Sequence, residues 1–346
     1  MPFMSDLDVA LRAYVPAFEQ AGRAIPATIT ATNISKVRKT AGLDWEPVIE
    51  SQYRRRPGPS GDPFDGYFEE VPEYKYVTRG EGGPIIKSAN ASYPLFSNGE
   101  LFEVAEAIGI AGIDLGREVR FVAGGELYGG KKVYLLADLG VTEIKGDPSP
   151  HVRTALLLSG HDGSAALKVI GTSLRFRCTN AIRAAELDAK AAGTAFTFRH
   201  TSRMAARIAD AQTAIKAAMF QHDLIEKTTR ELLAVKVTKA RATAYLSQFA
   251  LAQVISKSDP QRASQAAESH QRRHAVAGVD RELRAIFASP TCDGIRGTAY
   301  GPFAAAIEYL DNARDASGPD ARFKRTMIEK ERGKVLALNT LRGVLL

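Results

Sequence analysis

The sequence predicts an α+β protein: an antiparallel β-sheet core backed by helices, with a helical C-terminal half. Three observations carry this expectation. Between residues 117 and 178, short apolar runs are separated by Gly-Gly and Asp-Gly turns, the pattern of strands joined by hairpins. Ahead of them, Leu101, Val104, Ala105 and Ile108 recur at helical spacing. From Ser202 onward, alanine-rich stretches with apolar positions three and four apart replace the strand-like runs. The division that follows is an N-terminal arm over 1–70, a sheet core over 71–200 and a helical region over 201–346.

Taken in order, the first 35 or so residues read as a short helix followed by a loop or strand around Ile25–Ile34. Gly42 to Trp45 reads as a turn, and Pro47-Val48-Ile49 opens a strand. Tyr53-Arg54-Arg55-Arg56 then meets the Pro/Gly-rich run Pro57 to Gly61, which reads either as a phosphate clamp or as a solvated loop. Tyr74–Thr78 alternates as a strand. Ser97 or Asn98 caps the helix that starts near Leu101. Strands follow at Arg117–Ala123, Lys131–Leu139, His151–Ser159, Ala165–Ile170 and Leu174–Cys178, with Gly160-His161-Asp162-Gly163-Ser164 as a turn. Thr179-Asn180 caps an expected helix over Ala181–Lys190, and Ala195–Phe198 is a short strand. Helices are expected at Ser202–Val235, Ala240–Ser256, Arg262–Phe287, Pro302–Ala313 and Ala321–Leu341.

Composition narrows the function classes. The 346 residues are 45% hydrophobic and 25% charged, which suits a globular chain rather than a disordered one. No apolar run is long enough to span a membrane, and Met1–Ala10 carries Asp6 and Asp8 where a secretory signal carries basic residues. Two cysteines, Cys178 and Cys292, far apart, suit reduced thiols in a cytoplasmic protein and exclude a disulfide framework. Net charge is +7, and it is unevenly placed. Residues 161–346 hold 29 Lys and Arg against 18 Asp and Glu, whereas residues 1–160 hold 17 against 21. That asymmetry points to a polyanionic partner, with solubility of alanine-rich helices as the competing reading.

Within Leu174–Cys178, Leu174, Phe176 and Cys178 share one face and Arg175 and Arg177 the other. With Arg183, with Lys131 and Lys132 on the preceding hairpin, and with Arg199, Arg203 and Arg207 on the following helix, they form a candidate track for a sugar-phosphate strand. Tyr128 and Tyr134 are candidate stacking platforms. The alternative is a solvated outer face with cross-strand ion pairs.

His161, Asp162, Cys178, Asn180 and His200 contain the residue types of a thiol nucleophile with an imidazole base. Cys178, however, lies on the apolar phase of its strand, where a cysteine packs as a small hydrophobe. His270 and His274 have metal-compatible spacing but no third ligand nearby, so they read as a solvated helix face. The chain lacks GxxxxGK[ST] and a strand-borne GxGxxG, so neither a metal nor a nucleotide cofactor is expected.

The runs Asn98-Gly99-Glu100 with Phe102, Gly125 to Val133, His161 to Ser164, Arg175 to Asn180, Arg199-His200-Thr201 and Arg296 to Tyr300, in this order, resemble the phage/plasmid-related domain of unknown function number 932. The resemblance covers about residues 70–315. Thr179-Asn180-Ala181-Ile182 stands where that family typically has Gln-Asn-Thr-Leu. The resemblance implies a phage or plasmid setting, with the host bacterial cytoplasm as the location, and no stated activity.

The layout of a helix, a Gly-Gly-Lys hairpin sheet and a basic helix is also similar to the core of Rad-fifty-two-type single-strand annealing proteins. That similarity implies a homo-oligomer, ring or filament, holding single-stranded DNA by its backbone. Two other classes stay open: a Cys/His-dependent enzyme and a non-enzymatic host-interaction protein.

Overall fold

The computed structural model describes residues 23–27, 29–30, 32–58, 65–93, 95–116, 118–162, 167–175, 180–183, 196–198, 204–256, 270–313, 318–323 and 332–346. It has two antiparallel sheets, with helices concentrated in the second half, and so is α+β.

The larger sheet contains β1 (Arg23–Ala27), β5 (Arg120–Leu127), β6 (Lys132–Thr142), β7 (His151–Gly160), β8 (Lys168–Arg175), β9 (Asn180–Arg183) and β10 (Phe196–Thr197). Its order is β1-β5-β6-β7-β8-β10, with β9 also paired to β8. The smaller sheet is β2 (Pro47–Arg56), β3 (Tyr67–Arg79) and β4 (Ile85–Asn90), in that order. β3 runs unbroken across residue 70.

The meander β5 to β8 is buried on both faces because its residues alternate between two apolar sets. Val133, Leu135, Ala137, Ala155, Leu157 and Val169 pack beneath α2 (Asn98–Asp114) and the first half of α3 (Met204–Ala234). Tyr134, Leu136, Val152, Leu156, Leu158 and Leu174 form a second core on the opposite face. A helical core gathers α4 (Lys239–Ser256), α5 (His270–Ala288), α6 (Tyr300–Glu308), α8 (Arg332–Val344) and the second half of α3. A 31-residue helix is about 46 Å long, so α3 serves two cores: Ala211, Ile215 and Ala218 under the sheet, Ile225, Leu232 and Leu233 in the helical half.

α2 begins where Ser97 accepts a bond from the Glu100 amide at 3.0 Å while Glu100 accepts one from the Ser97 amide at 2.8 Å, a reciprocal cap worth about 1 kcal/mol. On one side of β8 the described partners are β10 at Val169 and β9 at Thr172. Between them the Gly171 amide donates to Gln221 Oε1 of α3 at 2.6 Å, so a helix side chain satisfies this backbone group.

Two expectations are corrected. The start of the expected helix Ala181–Lys190 is strand β9, because Asn180 to Arg183 folds back on Arg175 to Thr172; residues 184–190 lie outside the described set. Residues 168–170 and 174–175 of the separate strands expected at Ala165–Ile170 and Leu174–Cys178 belong to one strand, β8; residues 165, 166 and 176–178 lie outside the described set. The loop or strand expected around Ile25–Ile34 is met by β1, and a helix, α1 (Ile34–Ala41), begins at its end and stops on Gly42 at φ 70°. Among the described residues, no helix is long and apolar enough to cross a membrane.

Candidate nucleic-acid interface

β2 and β3 form a long hairpin arm whose far half is solvated on both sides. Directly opposed residues share a face, so Arg54, Arg56, Tyr67 and Glu69 lie on one side and Tyr53, Arg55, Phe68 and Glu70 on the other. Phe68 is 72% exposed and Tyr67 56%, with Tyr53 and Tyr74 also about half open to solvent. Arg54 Nε and Arg56 Nε donate to the same oxygen of Glu69 at 2.8 and 2.6 Å. Those two bonds hold the Glu69 carboxyl at about 2. Lys75 Nζ donates to Glu70 at 2.6 Å. The two pairs to Glu69 are open to solvent and the Lys75 pair is partly so, and such pairs exchange readily for another anion.

At its base the arm is tied to the larger sheet by Trp45. The indole N–H donates to Glu126 Oε2 at 2.9 Å, and the Arg79 guanidinium lies over the ring at 4.7 Å while donating to the same oxygen. Asn98 donates its amide N–H to the Trp45 carbonyl at 2.8 Å, which leaves its Oδ1 to accept from His161 Nε2 at 2.9 Å. His161 therefore carries its proton on Nε2. Burial pushes its pKa down to about 4, against the pull of Asp162. Lys87 Nζ donates to the Asp162 carbonyl at 2.6 Å.

The β5–β6 turn fits beside this knot. Tyr128, Gly129 and Gly130 have φ of 54°, 66° and 89°. A side chain on Gly130 would put its Cβ 2.8 Å from the Trp45 ring, so glycine is required for fit as well as for backbone shape. Lys131 and the Tyr128 ring are exposed, and the Tyr128 amide donates to Asp320 Oδ2 at 2.6 Å.

The expected phosphate track on the sheet is corrected by burial. Arg175 is 1% exposed: Nε and Nη2 both bond Asp147 at 2.7 Å, and Nη1 donates to the Thr291 carbonyl at 2.7 Å. His151 Nε2 is 3.0 Å from the same carboxylate. Burial raises the Asp147 carboxyl, but the bonds from Arg175 and His151 outweigh it and hold it at about 2. Arg175 thus ties the sheet to the helical half and faces no solvent.

Lys132 is buried 3.9 Å from Asp162. Tyr134 is fully buried with its ring 4.3 Å from Phe323, so it offers no open platform in this state. Arg177, Cys178, Arg199, His200 and Arg203 lie outside the described residues, as do the side chains of Asn180, Arg183 and Arg207. Lys131 and Tyr128 are the expected contacts that the described surface presents.

The arm's aromatics were missed. Their signal was the β-favouring aromatic and β-branched residues of Tyr67-Phe68-Glu69-Glu70-Val71, a run without alternation that was not read as a strand. Of the thiol chemistry, His161 is committed to Asn98. Cys292 is buried, its pKa pushed up to about 11 by burial, so it is a protonated core thiol. Among the described residues, no group of three His, Cys, Asp or Glu stands ready to hold a metal.

A family model described as Domain of unknown function (DUF932) matches residues 86–335, from β4 into α8. No curated protein and no solved structure matches the chain.

Proposed function

The chain belongs to the family described as Domain of unknown function (DUF932), and for this member we propose single-stranded DNA binding and annealing in phage or plasmid recombination, with the β2–β3 arm as the main contact. The observation that carries the reading is the pairing of exposed aromatic rings with arginines on both faces of the arm, Tyr67 beside Arg54 and Arg56, Phe68 beside Arg55. Aromatic faces take bases of any identity, and each stacked base is worth about 1–3 kcal/mol. Arginine forks match phosphate oxygens, and phosphate replaces Glu69 in a pair already open to water.

The route continues from the arm past Arg79 over Trp45 to Tyr128 and Lys131 on the β5–β6 turn. Gly130 packing against the Trp45 ring brings the two surfaces together. The net charge of +7 adds long-range attraction for a polyanion. Annealing calls for several copies side by side, so a ring or filament of this chain belongs to the proposal.

Anisotropy of a fluorescent oligothymidylate tests it. Three arginine–phosphate contacts imply a roughly twentyfold loss of affinity between about 50 and 200 mM salt. Replacing Arg54, Arg55 and Arg56 together by alanine is expected to cost at least tenfold in affinity at low salt. Affinity that ignores both salt and the triple substitution overturns the arm as a DNA contact.

A further inference from the structure

On the face of the sheet opposite α2 lies α7 (Pro319–Phe323), only five residues long. A helix this short has little stability of its own, so its contacts hold it in place. Two of its residues, three apart and hence on one side of the turn, reach the β5–β6 hairpin. Asp320 Oδ2 accepts the Tyr128 amide at 2.6 Å. The Phe323 ring lies on Tyr134 with centroids 4.3 Å apart and planes tilted by 34°. An acidic group therefore sits on a backbone N–H in a turn of three successive left-handed residues beside exposed Lys131, and an aromatic ring covers a neighbouring tyrosine. Backbone N–H groups in such turns form anion-binding concavities.

A third observation points to a ligand. The Tyr134 hydroxyl is buried with no hydrogen-bond partner. A buried hydroxyl without a partner is costly, and a segment serving only to cover the sheet would ordinarily supply an acceptor. Asp320 is close enough that its charge adds to burial in raising the Tyr134 pKa, yet it does not accept the hydroxyl proton. The position under α7 thus has one polar function that its present occupant leaves unmet.

We infer that α7 occupies a binding position for one nucleotide of a single strand, with the Asp320 carboxylate in the place of a phosphate and the Phe323 ring in the place of a base stacked on Tyr134. This rests on the DNA-binding reading and adds to it a second contact surface and its regulation. When α7 lifts, the Tyr128 amide and Lys131 receive a phosphate, the Tyr134 ring receives a base, and its hydroxyl gains an acceptor. The resting chain is self-blocked at this position while the arm stays open.

The test uses the full chain with fluorescent oligothymidylate. Removing the carboxylate charge with Asp320→Asn is expected to tighten binding by about fivefold to tenfold, since it weakens the closed state without touching the arm. Phe323→Ala acts in the same direction, and Asp320→Asn keeps the test usable if the phenyl deletion disturbs folding. Tyr134→Phe combined with Asp320→Asn is expected to reverse much of that gain, because the opened position then lacks the hydroxyl that finds its acceptor on the bound strand.

Hydrogen exchange supplies a readout independent of affinity. Oligonucleotide should raise exchange across residues 319–323 while the Tyr128 amide stays protected. A wild-type chain that binds DNA, with Asp320→Asn binding equally and residues 319–323 unchanged in exchange, overturns the mimic and leaves the DNA reading standing. Failure of all these chains to bind at low salt overturns both.

Discussion

Two arginine–carboxylate clusters on two strands of this molecule show how differently one kind of ion pair behaves. Arg54 and Arg56 on β2 share Glu69 in open solvent, whereas Arg175 on β8 grips Asp147 where neither side chain is more than 1% exposed. In water the exposed charges keep much of their hydration, so the pair is weak and its partner replaceable. In the interior both charges have lost water, and each depends on the other. The exposed cluster is therefore suited to meeting a ligand and the buried one to joining two halves of a fold.

The sharpest way to break this contrast is to remove one buried partner. Arg175→Ala leaves Asp147 charged in the interior and is expected to destabilise the chain by about 3–5 kcal/mol. Urea unfolding monitored by far-UV circular dichroism measures it. A loss below about 1 kcal/mol shows that water reaches Asp147 and that the cluster is not a joint. The double variant with Asp147→Asn should recover part of the loss, because no unpaired charge is left.

Acid sharpens the same comparison. Burial pushes His161 and His222 down to about 4. The unfolded chain therefore binds their protons first as pH falls below about 6.5, and each contributes up to about 1.4 kcal/mol per pH unit of lost stability between pH 6.5 and 4. Asp147 has the depressed carboxyl of a paired acid: its contribution is whole above its ordinary pKa of 3.8 and is lost as pH falls towards about 2. Stability should thus decline in two stages. His222→Gln should flatten the first stage by about one proton's slope, and an unchanged slope excludes His222 as a buried neutral group. Gly130→Ala, which forces a methyl against Trp45 at a φ of 89°, should cost about 1–3 kcal/mol in the same assay.

Much of the fold was readable because local signals agreed with it. The Ser97 cap, the apolar runs of β6 and β7 and the 3.6-residue spacing of α3 each state their own conformation. The site was less readable because it depends on distant partners. Alternation correctly placed Leu174 and Arg175 on opposite faces of β8 but could not say what covers each face. The groups that bury Arg175, at Asp147 and Thr291, are 28 and 116 residues away in the chain. Tyr134 fails as an open platform for the same reason, since Phe323 covers it. Strand β9 was missed because Asn180 to Arg183 is too short to show a period, and its pairing with β8 decides its state.

The smallest expected effect on stability is at the arm, and it separates the two clusters most cleanly. Arg54→Ala with Arg56→Ala removes two cations whose ion-pair partner among the described residues is the exposed Glu69 carboxylate, so the melting temperature should stay within experimental error of the parent. The same change should raise the Glu69 pKa from about 2 towards its ordinary 4.5, because the bonds that depress it are gone. Carboxyl NMR shifts of Glu69 across an acid titration report that directly. Phe68→Ser belongs with this pair: a ring 72% open to solvent contributes little to folding, so its loss should be silent in melting and visible in oligonucleotide affinity. A large drop in melting temperature from either change would mean that the arm is held by contacts as strong as those around Arg175. The distinction between a joint and a ligand surface would then fail.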